Sequence, residues 1–155
     1  MDNPFMARAI QLSLENVVSG KGGPFGAVVV RNGSIVAEGV NRVTATNDPT
    51  AHAEIVAIRG ACAKLRVFEL TDSELYSSCE PCPMCLGACY WVRLARIYFA
   101  NSAEDASRFG FDDSFIYRQF ALDLPQRSIP MIPMMREQAL AAFRAWQESP
   151  NKITY

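Results

Sequence analysis

The chain has 155 residues with one histidine, five cysteines and a formal net charge of −1. At that length one domain spanning 1–155 is expected, with roughly 70% of the unfolded chain's surface buried on folding. Half of the residues are hydrophobic and a fifth are charged, the balance of a soluble globular protein, and the near-neutral charge argues against a general nucleic-acid surface and favours a small neutral or polar substrate.

Asn3 and Pro4 read as the N-cap and first position of a helix that stops at Gly20. Phe5, Ala9, Leu12 and Asn16 mark one side of it, with Met6, Ile10 and Val17 widening the stripe. After the loop "KGGPFG", the segments "FGAVVVR" and "SIVAEGVN" meet at Asn32-Gly33, a strong hairpin signal. "TATNDPT" is a loop, and Thr50 is expected to cap a helix from about Ala51 to Leu65. "SELYSSC" reads as a strand, Pro83 as the start of another helix, and "ARIYFA" as a further strand. Beyond residue 101 a short helix, the stretch "GFDDSFIY", a proline-bearing segment 125–133 and a helix from about Arg136 to Glu148 follow. Strands alternating with crossover helices predict an α/β fold in three layers with a partly parallel sheet. The apolar runs "FGAVVV" and "LGACYWV" fall short of a membrane span, and "MDNPFMARAI" lacks the apolar centre of a signal peptide. Four of the five cysteines lie within residues 79–89, which argues for a reducing compartment, the cytoplasm, over a disulfide framework.

His52 is the chain's one imidazole, and Glu54 follows two places later at the start of the first crossover helix. Cys82 just precedes the second such helix, and Cys85 lies in its first turn. Helices that follow parallel strands of one sheet begin at the same edge, where ligands bind in open α/β folds. His52, Cys82 and Cys85 are therefore expected to converge on one Zn2+, since two thiolates and an imidazole suit zinc and leave a fourth position for water. Zinc lowers the pKa of such a water to about 7, and Glu54 is placed to carry its proton to a substrate nitrogen and then to a leaving amine. H-x-E followed by P-C-x-x-C is the pattern of zinc-dependent nucleobase deaminases. Each piece alone has a plainer reading: His52 a surface cap, Glu54 a carboxylate complementing the helix dipole, Cys82 and Cys85 a redox pair. Cys62, Cys79 and Cys89 read as small buried hydrophobes. The structural rival is a closed zinc site with Cys79 or Cys89 as fourth ligand.

The segments "TAHAE" and "SSCEPCPMCLGA" resemble the cytidine deaminase superfamily. Together with "GGPFGAVVV", "AEGVNRVTATNDPTAHAE", "GFDDSFIY" and the closing "NKITY", they are similar to its bacterial guanine deaminase branch across nearly the whole chain. The resemblance implies a five-stranded mixed sheet between helices, with the fifth strand in the third quarter of the chain. It also implies hydrolytic attack on C2 of guanine to give xanthine and ammonia. Carried over residue by residue, Asn41 hydrogen-bonds the base, Phe25 packs on its face and the Ala53 N–H holds an oxygen or ring nitrogen. Asp113 and Tyr155 read the edge that separates guanine from pyrimidines. A homodimer is implied too, with segment 125–155 exchanged between subunits. Within the same chemistry the rivals are a guanosine deaminase and a tRNA adenosine deaminase. The latter would need a basic RNA surface that this charge balance does not offer, so no nucleic-acid partner is expected. Outside it, the rival is a non-catalytic interaction module stabilised by structural zinc.

Overall fold

The computed structural model describes residues 3–155. Met1 and Asp2, which begin the segment read as lacking a signal peptide, lie outside them. The described residues up to Asp113 form one compact unit and Ser114–Tyr155 a second.

In the first unit, helix α1 (Pro4–Val18) begins where the sequence predicts, with the Asn3 side chain accepting from the Phe5 and Met6 N–H groups. Its buried face is Ala9, Leu12 and Asn16, while Ile10 and Val17 of the expected apolar stripe remain exposed. Strands β1 (Gly26–Arg31) and β2 (Ser34–Val40) form the antiparallel hairpin, with Arg31 opposite Ser34. Asn32 and Gly33 both have positive φ, 51° and 71°, the paired left-handed geometry whose twist matches that of the strands. The register shifts between Val29 and Val30, so Val36 is an extra residue on β2, a bulge that tightens the local twist.

A short helix α2 (Val43–Thr46) occupies part of the segment expected to be a loop. The next helix, α3 (Ala53–Leu65), starts two residues later than expected, and its N-cap is His52, not Thr50. The physical reason lies in Asp48, whose Oδ1 accepts from both the N–H and the hydroxyl of Thr50 at 2.8 and 2.7 Å. In this Asx turn the Ala51 N–H donates to the Asp48 carbonyl at 3.1 Å and the His52 N–H to the Thr50 carbonyl at 2.8 Å, so residues 48–52 form a turn and not the first turn of a helix. Strand β3 (Ser73–Cys79), helix α4 (Pro83–Trp91) and strand β4 (Arg96–Asn101) complete the sheet.

Among the described residues the sheet has four strands in the order β2-β1-β3-β4. The two β1 pairings are antiparallel and the β3–β4 pairing is parallel. Hence β2, β3 and β4 share one direction and β1 runs against them. Alternate residues of the central strands enter separate cores. Val28, Val30 and Tyr76 pack with α1, whereas Ala27, Val29 and Leu75 pack with α3 and α4. This is the predicted three-layer arrangement. At Gly39 of β2 an added Cβ would lie 2.1 Å from the Ala53 carbonyl oxygen and 2.5 Å from the Ala57 nitrogen, so the start of α3 rests directly on the strand. Gly39→Ala is therefore expected to cost about 1–3 kcal/mol of stability, read as a lower urea midpoint. An unchanged midpoint would mean that α3 is free to slide on β2.

Helix α5 (Ala103–Arg108) follows β4, its start fixed by a reciprocal Ser102–Asp105 capping box. The second unit holds α6 (Ser114–Ala121), a 3-10 turn (Leu124–Gln126) and α7 (Arg136–Glu148). The fifth strand expected in the third quarter of the chain is absent among the described residues: the sheet ends at β4, and the chain that follows it enters α5. Ser114–Ala121 places Phe115, Arg118 and Gln119 at helical spacing, with the Arg118 guanidinium reaching back one turn to the Ser114 hydroxyl at 2.8 Å. Among the described residues no helix is long and apolar enough to cross a membrane.

Candidate active site

The topology brings the sequence motifs to one place. Helix α3 leaves the end of β2 through a short excursion, and α4 leaves the end of β3, two strands that run the same way with β1 between them. Both helices therefore begin at the same sheet edge. His52 and Cys82 occupy the two N-cap positions in extended conformation, and neither side chain caps its own helix. Their polar atoms remain available for something else.

The ligating atoms of His52, Cys82 and Cys85 all lie within 4.8 Å of one another. Cys82 Sγ is 3.5 Å from His52 Nδ1. Tetrahedral zinc bonds to sulfur and nitrogen would set such atoms roughly 3.5–3.8 Å apart, so the donor set fits this metal in chemistry and in spacing. The group contains neither Cys79 nor Cys89. Burial holds both of those as thiols, pushed up to about 11 and about 12, with the Glu54 charge adding to it. Within the cluster, a hydrogen bond from the Cys85 thiol brings the Cys82 pKa down to about 4, with His52 helping. The same bond raises the Cys85 thiol, and Cys82 raises the His52 imidazolium. The protons held by His52 and Cys85 are the ones a divalent cation would displace on binding.

Glu54 lies in the first turn of α3, only 5% exposed. Its Oε1 accepts a hydrogen bond of 2.7 Å from the Ser77 hydroxyl near the end of β3. Burial raises its carboxyl pKa, and the Ser77 bond opposes that. A carboxyl so held has one rotamer and one oxygen fixed in place, which suits a proton carrier.

The family described as "Cytidine and deoxycytidylate deaminase zinc-binding region" matches residues 1–101. The chain belongs to this family. Among the relatives of this deaminase, guanine deaminase of Bacillus subtilis is 50% identical over 151 residues, covering 97% of each chain. The X-ray structure of that guanine deaminase superposes with a TM-score of 0.96 at 49% identity, covering 100% of this chain and 99% of that one. A tRNA-specific adenosine deaminase of Buchnera aphidicola is 37% identical over 108 residues, covering 70% of this chain and 66% of its own.

Around the deaminase centre the structure places the remaining predicted residues unevenly. The Ala53 N–H belongs to the first turn of α3, where backbone donors have no acceptor within the helix. Asn41 follows β2, and its Oδ1 accepts from the Val43 N–H at 3.3 Å, leaving the Nδ2 group as its donor. Phe25 is half-buried and meets Phe111 edge-on, ring centroids 4.9 Å apart at 87°. Asp113 is half-buried, and burial followed by the Cys82 charge pushes its carboxyl up, so it feels the metal-ligand cluster electrostatically. Tyr155 belongs to the second unit and is 70% exposed. Three residues near this site were not singled out from the sequence: Ser77, Phe111 and Asn16, the last read only as part of a buried helix face. Ser77 had a faint signal, as a hydroxyl on the same strand face as the core-facing Leu75 and Cys79. Phe111 had none.

Proposed function

We propose that this protein is a guanine deaminase, releasing ammonia from C2 of guanine by hydrolysis to leave xanthine, with one zinc per chain held by His52, Cys82 and Cys85. The observation that carries the reading is a likeness to a guanine deaminase that runs through both compact units, whereas the likeness to the tRNA-specific enzyme stops short of the full length. Bound zinc supplies Lewis acidity that brings the pKa of water near 7. Glu54, steadied by Ser77, takes a proton from the attacking water and gives it to a ring nitrogen, then takes the proton of the new C–OH group and delivers it to the departing amine as the carbonyl forms. The carbon thereby exchanges its C–N bond for a C–O bond and ammonia leaves neutral. Asn41 hydrogen-bonds the base through its amide, Phe25 covers a ring face and the Ala53 N–H holds a ring acceptor. Asp113 accepts from purine N–H groups that cytosine lacks, and Tyr155 closes the pocket against water.

A homodimer with segment 125–155 exchanged between subunits belongs to the same reading. Its support is the apolar surface of the second unit: Ile129, Ile132, Met134 and Phe143 are each at least 71% exposed in the single chain. Surface of that kind asks for a cover.

The test is ammonia release from guanine, guanosine, adenine, cytosine and an anticodon stem-loop RNA by the zinc-loaded protein. Guanine is expected to be turned over far faster than the others, and equal rates on guanine and cytosine would defeat the assignment. A hydrogen bond to a charged group is worth about 1.5–3 kcal/mol, one to two decades of discrimination. Asp113→Asn and a chain ending at Thr154 should each lose guanine turnover on that scale while keeping zinc and fold. Full activity in the shortened chain would remove Tyr155 from the pocket.

A further inference from the structure

Asn16 is a polar residue on the buried face of α1, 3% exposed, in a helix whose other buried positions are Ala9 and Leu12. A buried amide is costly unless its hydrogens are used. Both are used here, and on the same task. Asn16 Nδ2 donates to the Gly23 carbonyl and to the Asn41 carbonyl, each at 2.9 Å. Two carbonyl oxygens around one atom require that atom to be the nitrogen, so the amide's orientation follows from its partners. The two loops it joins are also tied to each other: Asn41 N–H donates to the Phe25 carbonyl at 3.1 Å, and Phe25 N–H to the Gly23 carbonyl at 2.8 Å. One side chain thus holds the Asn41 backbone directly, and the Phe25 backbone through its bonds to Gly23 and Asn41. The clamp leaves no room for error at Gly22, where an added Cβ would sit 2.2 Å from the Asn41 oxygen and 2.9 Å from Asn16 Nδ2.

We infer that Asn16 is a positioning residue for substrate: through this clamp it sets the Asn41 amide and the Phe25 ring against the base. The inference rests on the guanine-site reading of Asn41 and Phe25. It is independent of the zinc cluster and of Glu54, so its loss should be felt in binding and hardly in the chemical step. A displaced recognition group costs affinity steeply with distance.

The experiment compares guanine kinetics, zinc content and urea midpoint for Asn16→Leu, Asn41→Ala, their double variant and Val30→Ala. Val30 is a core residue of the same α1-facing cluster, at the far end of β1 from Phe25, and serves as a stability control. Asn16→Leu is expected to raise KM roughly tenfold, with kcat changed by less than about threefold and zinc retained. Val30→Ala should lower the urea midpoint and leave KM alone. Because part of the Asn16 effect runs through Asn41, the double variant should raise KM by less than the product of the two single effects. Asn16→Ser, which keeps one donor, should fall between wild type and Leu, and it carries the comparison if the Leu variant does not fold. An unchanged KM in Asn16→Leu or Asn16→Ser overturns the inference. So does a matching KM rise in Val30→Ala, or full additivity with Asn41→Ala. An Asn41→Ala protein with wild-type KM would instead bring down the site reading, and this inference with it.

Discussion

Glu54→Gln is expected to keep zinc and the folded state while guanine turnover falls by roughly 10²–10⁴-fold. Glutamine preserves the shape of the side chain and offers an oxygen to the Ser77 hydroxyl, which Glu54 Oε1 accepts at 2.7 Å. What it cannot do is take a proton from water and return one to the leaving nitrogen. Glu54 itself is only 5% exposed, so solvent is poorly placed to substitute for the missing base. Ser77→Ala is the companion variant. It leaves the carboxylate chemistry intact but frees its rotamer, so a smaller loss, on the order of tenfold, is expected. Cys62→Ser, at a thiol outside the cluster, should be silent in both turnover and zinc content. Metal loss in Glu54→Gln, measured by elemental analysis alongside activity, would assign Glu54 a structural role.

The parts of the fold that were legible in the sequence are those fixed by local chemistry. Asn3-Pro4, Asn32-Gly33 and Pro83 each act over two or three residues, and the structure places a helix start, a tight hairpin and a helix start there. The helix from Arg136 to Glu148 also lies where its periodicity predicts. The convergence of His52 with Cys82 and Cys85 was legible for a different reason, because parallel strands force their following helices to begin at one edge. The inserted antiparallel β1 does not disturb that logic, since β2 and β3 still point the same way. Misreadings arose where a rival local bond decided. Asp48 captured Thr50 and moved the start of α3 from Ala51 to Ala53. The fifth strand rested on the resemblance alone, with no alternating residue pattern behind it, and the sheet of the described residues has four strands. Asn16 was visible as part of the buried side of α1 but not as a clamp, because its second partner lies 25 residues away. Periodicity reports which face is inside and is blind to which carbonyl waits there.

Stripping the metal is expected to abolish turnover without unfolding the protein. Both hydrophobic cores are built without the cluster: Val28, Val30 and Tyr76 with α1 on one face, Ala27, Val29 and Leu75 with α3 on the other. Fully burying a valine or leucine side chain is worth about 1.5–3 kcal/mol, so the sheet and its helices retain their driving force when His52, Cys82 and Cys85 are empty-handed. Chelator-treated protein should therefore still unfold cooperatively, at a lower temperature because zinc binds only the folded state and stabilises it by mass action. Guanine deamination should vanish and return on adding zinc back, with elemental analysis giving one zinc per chain. Cys85→Ala should imitate the stripped protein and resist rescue, because two donors remain where three are needed to hold the ion. A closed structural site predicts the reverse order of losses, with the fold failing along with the metal. That outcome would also require a fourth protein donor, and neither Cys79 nor Cys89 belongs to the cluster formed by His52, Cys82 and Cys85. Circular dichroism of the stripped protein separates the two: a native spectrum leaves the metal a catalytic task, and a coil spectrum takes it away.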